Sequence, residues 1–376
     1  MIKSLEINNF RCFNSTKANN FVRINLLGGK NNAGKTAFLE ALLLMTEPSN
    51  QSIGQLLRFR RVDLEFVKEI PKRAWDNFFY KQKKDKEISF VFEMENEKKN
   101  RVTLHCDEVV DDFIRMVQNS KEDADKDMLE FANSLSNNKV AIKSSLHTIA
   151  YSNNDQLQTN VFVSSSNGIV GRGIPHKFID SHLVPASFKL PSDELAKEFD
   201  VARLDSNSET LLKAFQIIDE SIERVETYNI GKAELYLKRK GENPMPLSLF
   251  GDAMNKIADF ILRIVNNKNS ILLVDEIENG IHYENQEEIW KMIFDLCIEF
   301  QVQLFATTHS GEMIEAFKNI VLKFNLEEHG NYFEMSRHPI SNEITIRIIP
   351  INSLDDKILK QDPIRGEKSN RRRRLL

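Results

Sequence analysis

Residues 29–36 read GKNNAGKT, a complete GxxxxGK[ST] phosphate-binding loop. No other stretch limits the possible folds as tightly, because such a loop needs a strand to deliver it and a helix to begin at its end. Both flanks comply. Residues 22–27 are a short branched apolar run that reads as a buried strand, and residues 37–45 hold good helix formers and no breaker. In that setting the backbone N–H groups of Gly29, Asn31, Asn32, Ala33 and Gly34, with the helix N-terminus, point at phosphates. Lys35 is expected to reach the β- and γ-phosphates, and Thr36 to place its hydroxyl on Mg²⁺. ATP and Mg²⁺ are therefore the expected ligands.

A second segment supplies what the loop lacks. Residues 271–274 are apolar throughout, which suits a parallel strand buried on both faces, and they end in Asp275 and Glu276. The C-terminal edge of such a strand is where ligands bind in open α/β sheets. Asp275 is expected to hold Mg²⁺ together with Thr36, and Glu276 to orient and polarise the attacking water. A further strand over 303–307 ends at His309, which is placed to contact the γ-phosphate. The β–α–β alternation over 246–350 predicts an α/β fold with a mostly parallel sheet and right-handed crossovers.

The chain divides accordingly. Residues 1–47 form the N-terminal part of the nucleotide-binding fold, with a first strand at 2–7 and an aromatic-basic turn at 9–13. Residues 48–245 carry no second nucleotide motif and read as a compact α+β insertion. Within it, 54–61 is a helix running into a basic loop, and 88–94 pairs with 102–106. A charged helical stretch covers 107–137, and 150–175 is loop with a strand at 161–163. Helices start near 192 and span 208–226, the latter with Leu211, Leu212, Phe215, Ile218, Ile222 and Val225 on one stripe. Residues 246–350 return to the nucleotide-binding fold, with helices at 253–266 and 284–300 and further strands at 319–325 and 343–350. Residues 351–376 are a C-terminal segment with a basic tail at Lys368 and 371–374.

Bulk properties are those of an ordinary globular chain of 376 residues, 41% hydrophobic and 28% charged. A net charge of −4 confines any nucleic-acid contact to local basic patches. The three cysteines, Cys12, Cys106 and Cys297, form no CxxC and read as reduced thiols of a cytoplasmic protein. No run approaches the ~18 apolar residues of a membrane span.

Together these pieces resemble the ABC-type ATPase heads of the SMC and RecF class, and more narrowly the head of the OLD (overcoming lysogenisation defect) family and its defence-associated relatives. The resemblance rests on NNFRCF at 8–13, the phosphate loop, DEIENGIH at 275–282 and TTHS at 307–310. SLFGDA at 248–253 resembles the degenerate signature motif of this class. The resemblance implies a shared site. Ser248 and the Gly251 backbone of one subunit would close over ATP held by the phosphate loop of another, giving a head-to-head dimer or higher homo-oligomer that hydrolysis reopens. Arg11 would also face the nucleotide. Gln51 and Gln55 are the candidates for the Q-loop glutamine.

The departures from those families count equally. The insertion holds no long coiled coil, and only about 25 residues follow the last expected strand, too few for the TOPRIM nuclease of OLD proteins. Asp355 and Asp356 have no metal-binding fold around them. The expectation is therefore a stand-alone ATPase without nuclease activity, resembling the ATPase subunits of antiphage systems such as PARIS and Septu and working with a separately encoded nuclease or toxin. The alternative is a RecF-like repair ATPase that binds duplex DNA through residues 58–61 and Lys81, Lys83, Lys84 and Lys86.

Overall fold

The computed structural model describes residues 1–107, 142–166, 168–172, 176–186, 190–205 and 207–354. The expected charged helix beyond Asp107, the Asp355-Asp356 pair and the basic tail lie outside them.

The chain opens with the hairpin β1 (Ile2–Phe10) and β2 (Phe13–Asn19), then β3 (Ile24–Gly28), the phosphate loop and α1 (Lys35–Thr46). Short helices α2 (Asn50–Phe59) and α3 (Leu64–Glu69) follow, capped by the side chains of Ser49 and Asp63. Next come β4 (Ile88–Met94), β5 (Lys99–Asp107), β6 (Ile142–Ser152), β7 (Asp155–Ser165), β8 (Gly168–Arg172) and β9 (Ser181–Val184). Helices α4 (Ser192–Leu204) and α5 (Ser208–Ile218) precede the ribbon β10 (Ile222–Ile230), β11 (Lys232–Arg239) and β12 (Met245–Pro246). The last part runs α6 (Asp252–Asn266), β13 (Ile271–Val274), α7 (Gln286–Glu299), β14 (Gln303–Thr307), α8 (Gly311–Lys323), β15 (Gly330–Arg337) and β16 (Ile344–Ile349).

The nucleotide motifs sit on a six-stranded sheet in the order β16-β15-β3-β14-β13-β9. It is parallel from β15 to β9, with β16 added antiparallel at one edge. Both faces are covered, as the apolar run of β13 requires. Ile271 and Leu273 join one core with α1, whereas Leu272 and Val274 join another with α6 and α7. Every residue of α1 except Thr36 is buried, so this helix is apolar nearly all round rather than amphipathic.

The largest sheet, however, is antiparallel. Seven strands run β2-β1-β4-β5-β6-β7-β8, every neighbouring pair antiparallel. The expectation of one mostly parallel sheet is corrected to this extent. The cause is local: β1 and β4 pair in register, so strands from 88–172 extend the sheet that the first hairpin begins. Segment 48–245 accordingly reaches into both sheets, since β9 pairs with β13.

Three element assignments also change. The expected helix 208–226 stops at Ile218, because the Asp219 carboxylate accepts from both the backbone N–H and the hydroxyl of Ser221, which offers the chain a turn instead. Ile222 and Val225 therefore lie on β10. Residues 150–175 are mostly strand. Asn153 and Asn154 both take positive φ, 52° and 72°, the tight turn that joins β6 to β7. The expected strand at 319–325 is mainly the end of α8, whose buried Met313, Ile314, Phe317, Ile320 and Val321 follow helical spacing.

Candidate functional site

The phosphate loop turns sharply between β3 and α1. Gly29 and Gly34 have φ of 143° and 93°, and a side chain at Gly29 would meet the Met335 carbonyl oxygen at 2.3 Å. Asn32 also sits in the left-handed region, at φ 65°. Lys35 Nζ donates to the carbonyls of Gly29 and Lys30 at 2.8 and 3.2 Å. Burial pulls its pKa below the ordinary lysine value, and Asp275, Glu278 and Glu276 oppose that shift.

The end of β13 meets the start of α1. Thr36 Oγ1 donates to Asp275 Oδ2 at 2.9 Å, and Thr307 Oγ1 donates to Asp275 Oδ1 at 2.6 Å. A hydroxyl and a carboxylate so close make a pair of hard oxygen donors that suits Mg²⁺. Glu276 follows with φ 50°, a conformation that a non-glycine residue holds only when its surroundings enforce it. They do so from both sides. Its N–H donates to Thr307 Oγ1 at 2.9 Å, and its carbonyl accepts from Lys256 Nζ on α6. Asn279 Nδ2 donates to Glu276 Oε2 at 2.7 Å, aiming the carboxylate. His309 follows β14; its Nδ1 lies 3.0 Å from Glu278 Oε1 and 3.9 Å from Glu276 Oε1. The His309 backbone N–H also donates to Glu278 Oε1.

A cavity of about 780 Å³ opens over these groups, within the usual range of small-molecule sites. Asn31, Asn32, Ala33, Gly34, Lys35, Thr36, Asp275 and Glu276 line it, whereas Gly29 and His309, also expected at the nucleotide, are not among its lining residues. Arg11 borders it too, but its guanidinium is already engaged. Its Nε lies 3.1 Å from Glu40 Oε2, Nη1 donates to the Asn77 carbonyl, and the group stacks on Phe78 at 4.6 Å. Arg60 grips the same carboxylate in a fork, Nε to Oε1 at 2.6 Å and Nη2 to Oε2 at 3.0 Å. Glu40 is 1% exposed, so removing it would strand Arg11. The Glu40→Ala variant should lose about 3–5 kcal/mol of stability, read from its denaturant midpoint.

Sequence reasoning missed several lining residues. Arg60 was noted only for its charge. Gln82 lines the cavity, whereas neither Gln51 nor Gln55 does. Lys81 and Gln82 both adopt positive φ, 51° and 60°, in the turn that carries them. No periodicity marks such a turn. Lys256, one turn into α6, does not line the cavity but holds the Glu276 carbonyl, and it too has no motif of its own.

Ser248 and Gly251 do not join the cavity. Ser248 Oγ donates to Glu234 Oε1 of β11 at 2.7 Å, Leu249 is 70% exposed, and Gly251, at φ 91°, leads into α6.

The family described as "AAA domain, putative AbiEii toxin, Type IV TA system" matches residues 24–315, from β3 into α8. The chain belongs to that family. It is an ATPase. The chain is similar to an ATP/GTP phosphatase of Helicobacter pylori, 24% identical over 345 residues that cover 85% of this chain and 88% of that one. It is also similar to two solved structures. One is the SMC head domain from Thermotoga maritima (11% identity, TM-score 0.41, 93% of this chain and 99% of that one). The other is an Smc head bound to the C-terminal winged-helix domain of ScpA (11% identity, TM-score 0.49, 94% and 99%). Among the described residues, no helix is long and apolar enough to cross a membrane.

Proposed function

We propose that the chain is an ATP-driven switch whose heads pair around shared ATP, and that it regulates a separate nuclease or toxin in antiphage defence. The observation that carries the pairing is the split between two surfaces. Lys35, Thr36, Asp275 and Glu276 converge on one cavity, whereas Ser248 and Gly251 stand exposed outside it. In this reading the loop N–H groups and Lys35 bind the phosphates. Thr36 and Asp275 hold Mg²⁺, which when bound neutralises phosphate charge. Glu276, aimed by Asn279, accepts the proton of the attacking water, and His309 senses the γ-phosphate. Closure then depends on a partner's Ser248 and Gly251, so the γ-phosphate contributes contacts that the open state lacks.

Mixing two inactive variants tests this. Lys35→Ala removes the phosphate-loop half, and Ser248→Arg removes the signature half. Mixed dimers retain one complete site, so the mixture should regain about a quarter of the wild-type ATPase rate, since roughly half of randomly formed dimers are mixed. A mixture as inactive as its components would place the whole site within one chain.

The DNA-repair alternative has less support. Arg60 is engaged with Glu40, Lys84 lies 3.2 Å from Asp76, and Lys81 faces the nucleotide cavity. What remains of the basic cluster is small for a duplex footprint.

A further inference from the structure

The antiparallel sheet carries a second group of chemistry-bearing side chains. On β5 and β6, His105 stands directly opposite His147, and Asp107 opposite Ser145, so all four share one face. The two imidazoles stack with centroids 4.6 Å apart and planes inclined by 2°. Asp107 Oδ2 lies 3.2 Å from His147 Nε2 and 3.8 Å from His105 Nε2. One ligand atom from each of the three falls within 4.8 Å of the others. None of these residues lines the nucleotide cavity.

We propose that His105, Asp107 and His147 form a binding site for a transition-metal ion of the Zn²⁺ class. In tetrahedral zinc sites, bonds of about 2.0–2.2 Å set neighbouring ligand atoms about 3.3–3.5 Å apart. The two carboxylate–imidazole edges bracket that spacing, the third lies within 4.8 Å, and the stacked rings would tilt so that their in-plane lone pairs converge on the ion. Two imidazoles with one carboxylate favour zinc over magnesium, which prefers an all-oxygen shell. His147 is 4% exposed and fixed in place, whereas His105 and Asp107 are partly open and give an ion its way in. The Ser145 hydroxyl lies 2.9 Å from His147 Nε2 and would turn aside, as hydroxyls rotate freely. Three protein ligands leave a fourth position open. The ion would cross-link β5 to β6.

The test uses the untagged full chain, stripped with chelator and free of nucleotide. Calorimetric titration with Zn²⁺ should show one tight equivalent, and Co²⁺ should give the visible bands of a tetrahedral site. His105→Gln and Asp107→Asn, both at partly exposed positions, should each weaken binding by about tenfold or more with circular dichroism unchanged. Asp275→Asn should bind Zn²⁺ like the wild type. Absence of binding by the wild type would overturn the proposal. So would equal affinity in His105→Gln and Asp107→Asn, or loss of the equivalent in Asp275→Asn.

Discussion

Replacing Glu276 with glutamine should slow ATP hydrolysis by about 10²–10⁴-fold while leaving ATP binding intact, the usual range for loss of a positioned general base. The amide keeps the size of the carboxylate but cannot take the proton of water. Because Asn279 and the end of β14 hold this residue in place, the variant should preserve the geometry of the cavity. ATP would then persist, and the chain should elute as a dimer when ATP is present. Hydrolysis rates and light scattering on the eluting species read both outcomes. A variant that hydrolysed ATP at the wild-type rate and stayed monomeric would remove Glu276 from the role given to it.

The second large effect is expected at Lys35. Lys35→Ala should lower nucleotide affinity by about two orders of magnitude, roughly the 1.5–3 kcal/mol of a hydrogen bond to a charged group. The side chain now donates to two loop carbonyls, Gly29 and Lys30, so it also braces the loop. Fluorescent-nucleotide titration would measure the loss, and unchanged affinity would undo the assignment of the cavity.

Much of this site is legible in the sequence because its parts lie at strand ends. The phosphate loop, Asp275 and Glu276, and His309 each terminate an apolar run that the parallel sheet buries on both faces, so motif and fold predict one another. The rest is not legible, for physical reasons that differ. Arg60 matters through a buried carboxylate, Glu40, that looks like one more helix-former in the sequence of α1. Gln82 reaches the cavity through a turn with two consecutive left-handed residues, and no periodicity announces such a turn. The antiparallel sheet was legible only in part: β1 and the β4–β5 pair read as strands, but β6 and β7 carry polar runs such as Ser144-Ser145 and Gln158-Thr159-Asn160 and turn at Asn153 and Asn154, which reads locally as loop. The helix expected to continue past Ile218 failed for the opposite reason. Its apolar spacing persists, but one aspartate side chain offers the backbone a better partner.

The Lys256 contact has a consequence for how two such molecules would work together. Lys256 is anchored on the helix that begins just after Gly251, and it holds the backbone carbonyl of Glu276. One helix therefore links the exposed Ser248–Gly251 segment with the backbone of Glu276. In a pair joined as proposed, binding of one ATP would shift the affinity for the other, and by linkage the shift would be equal in both directions.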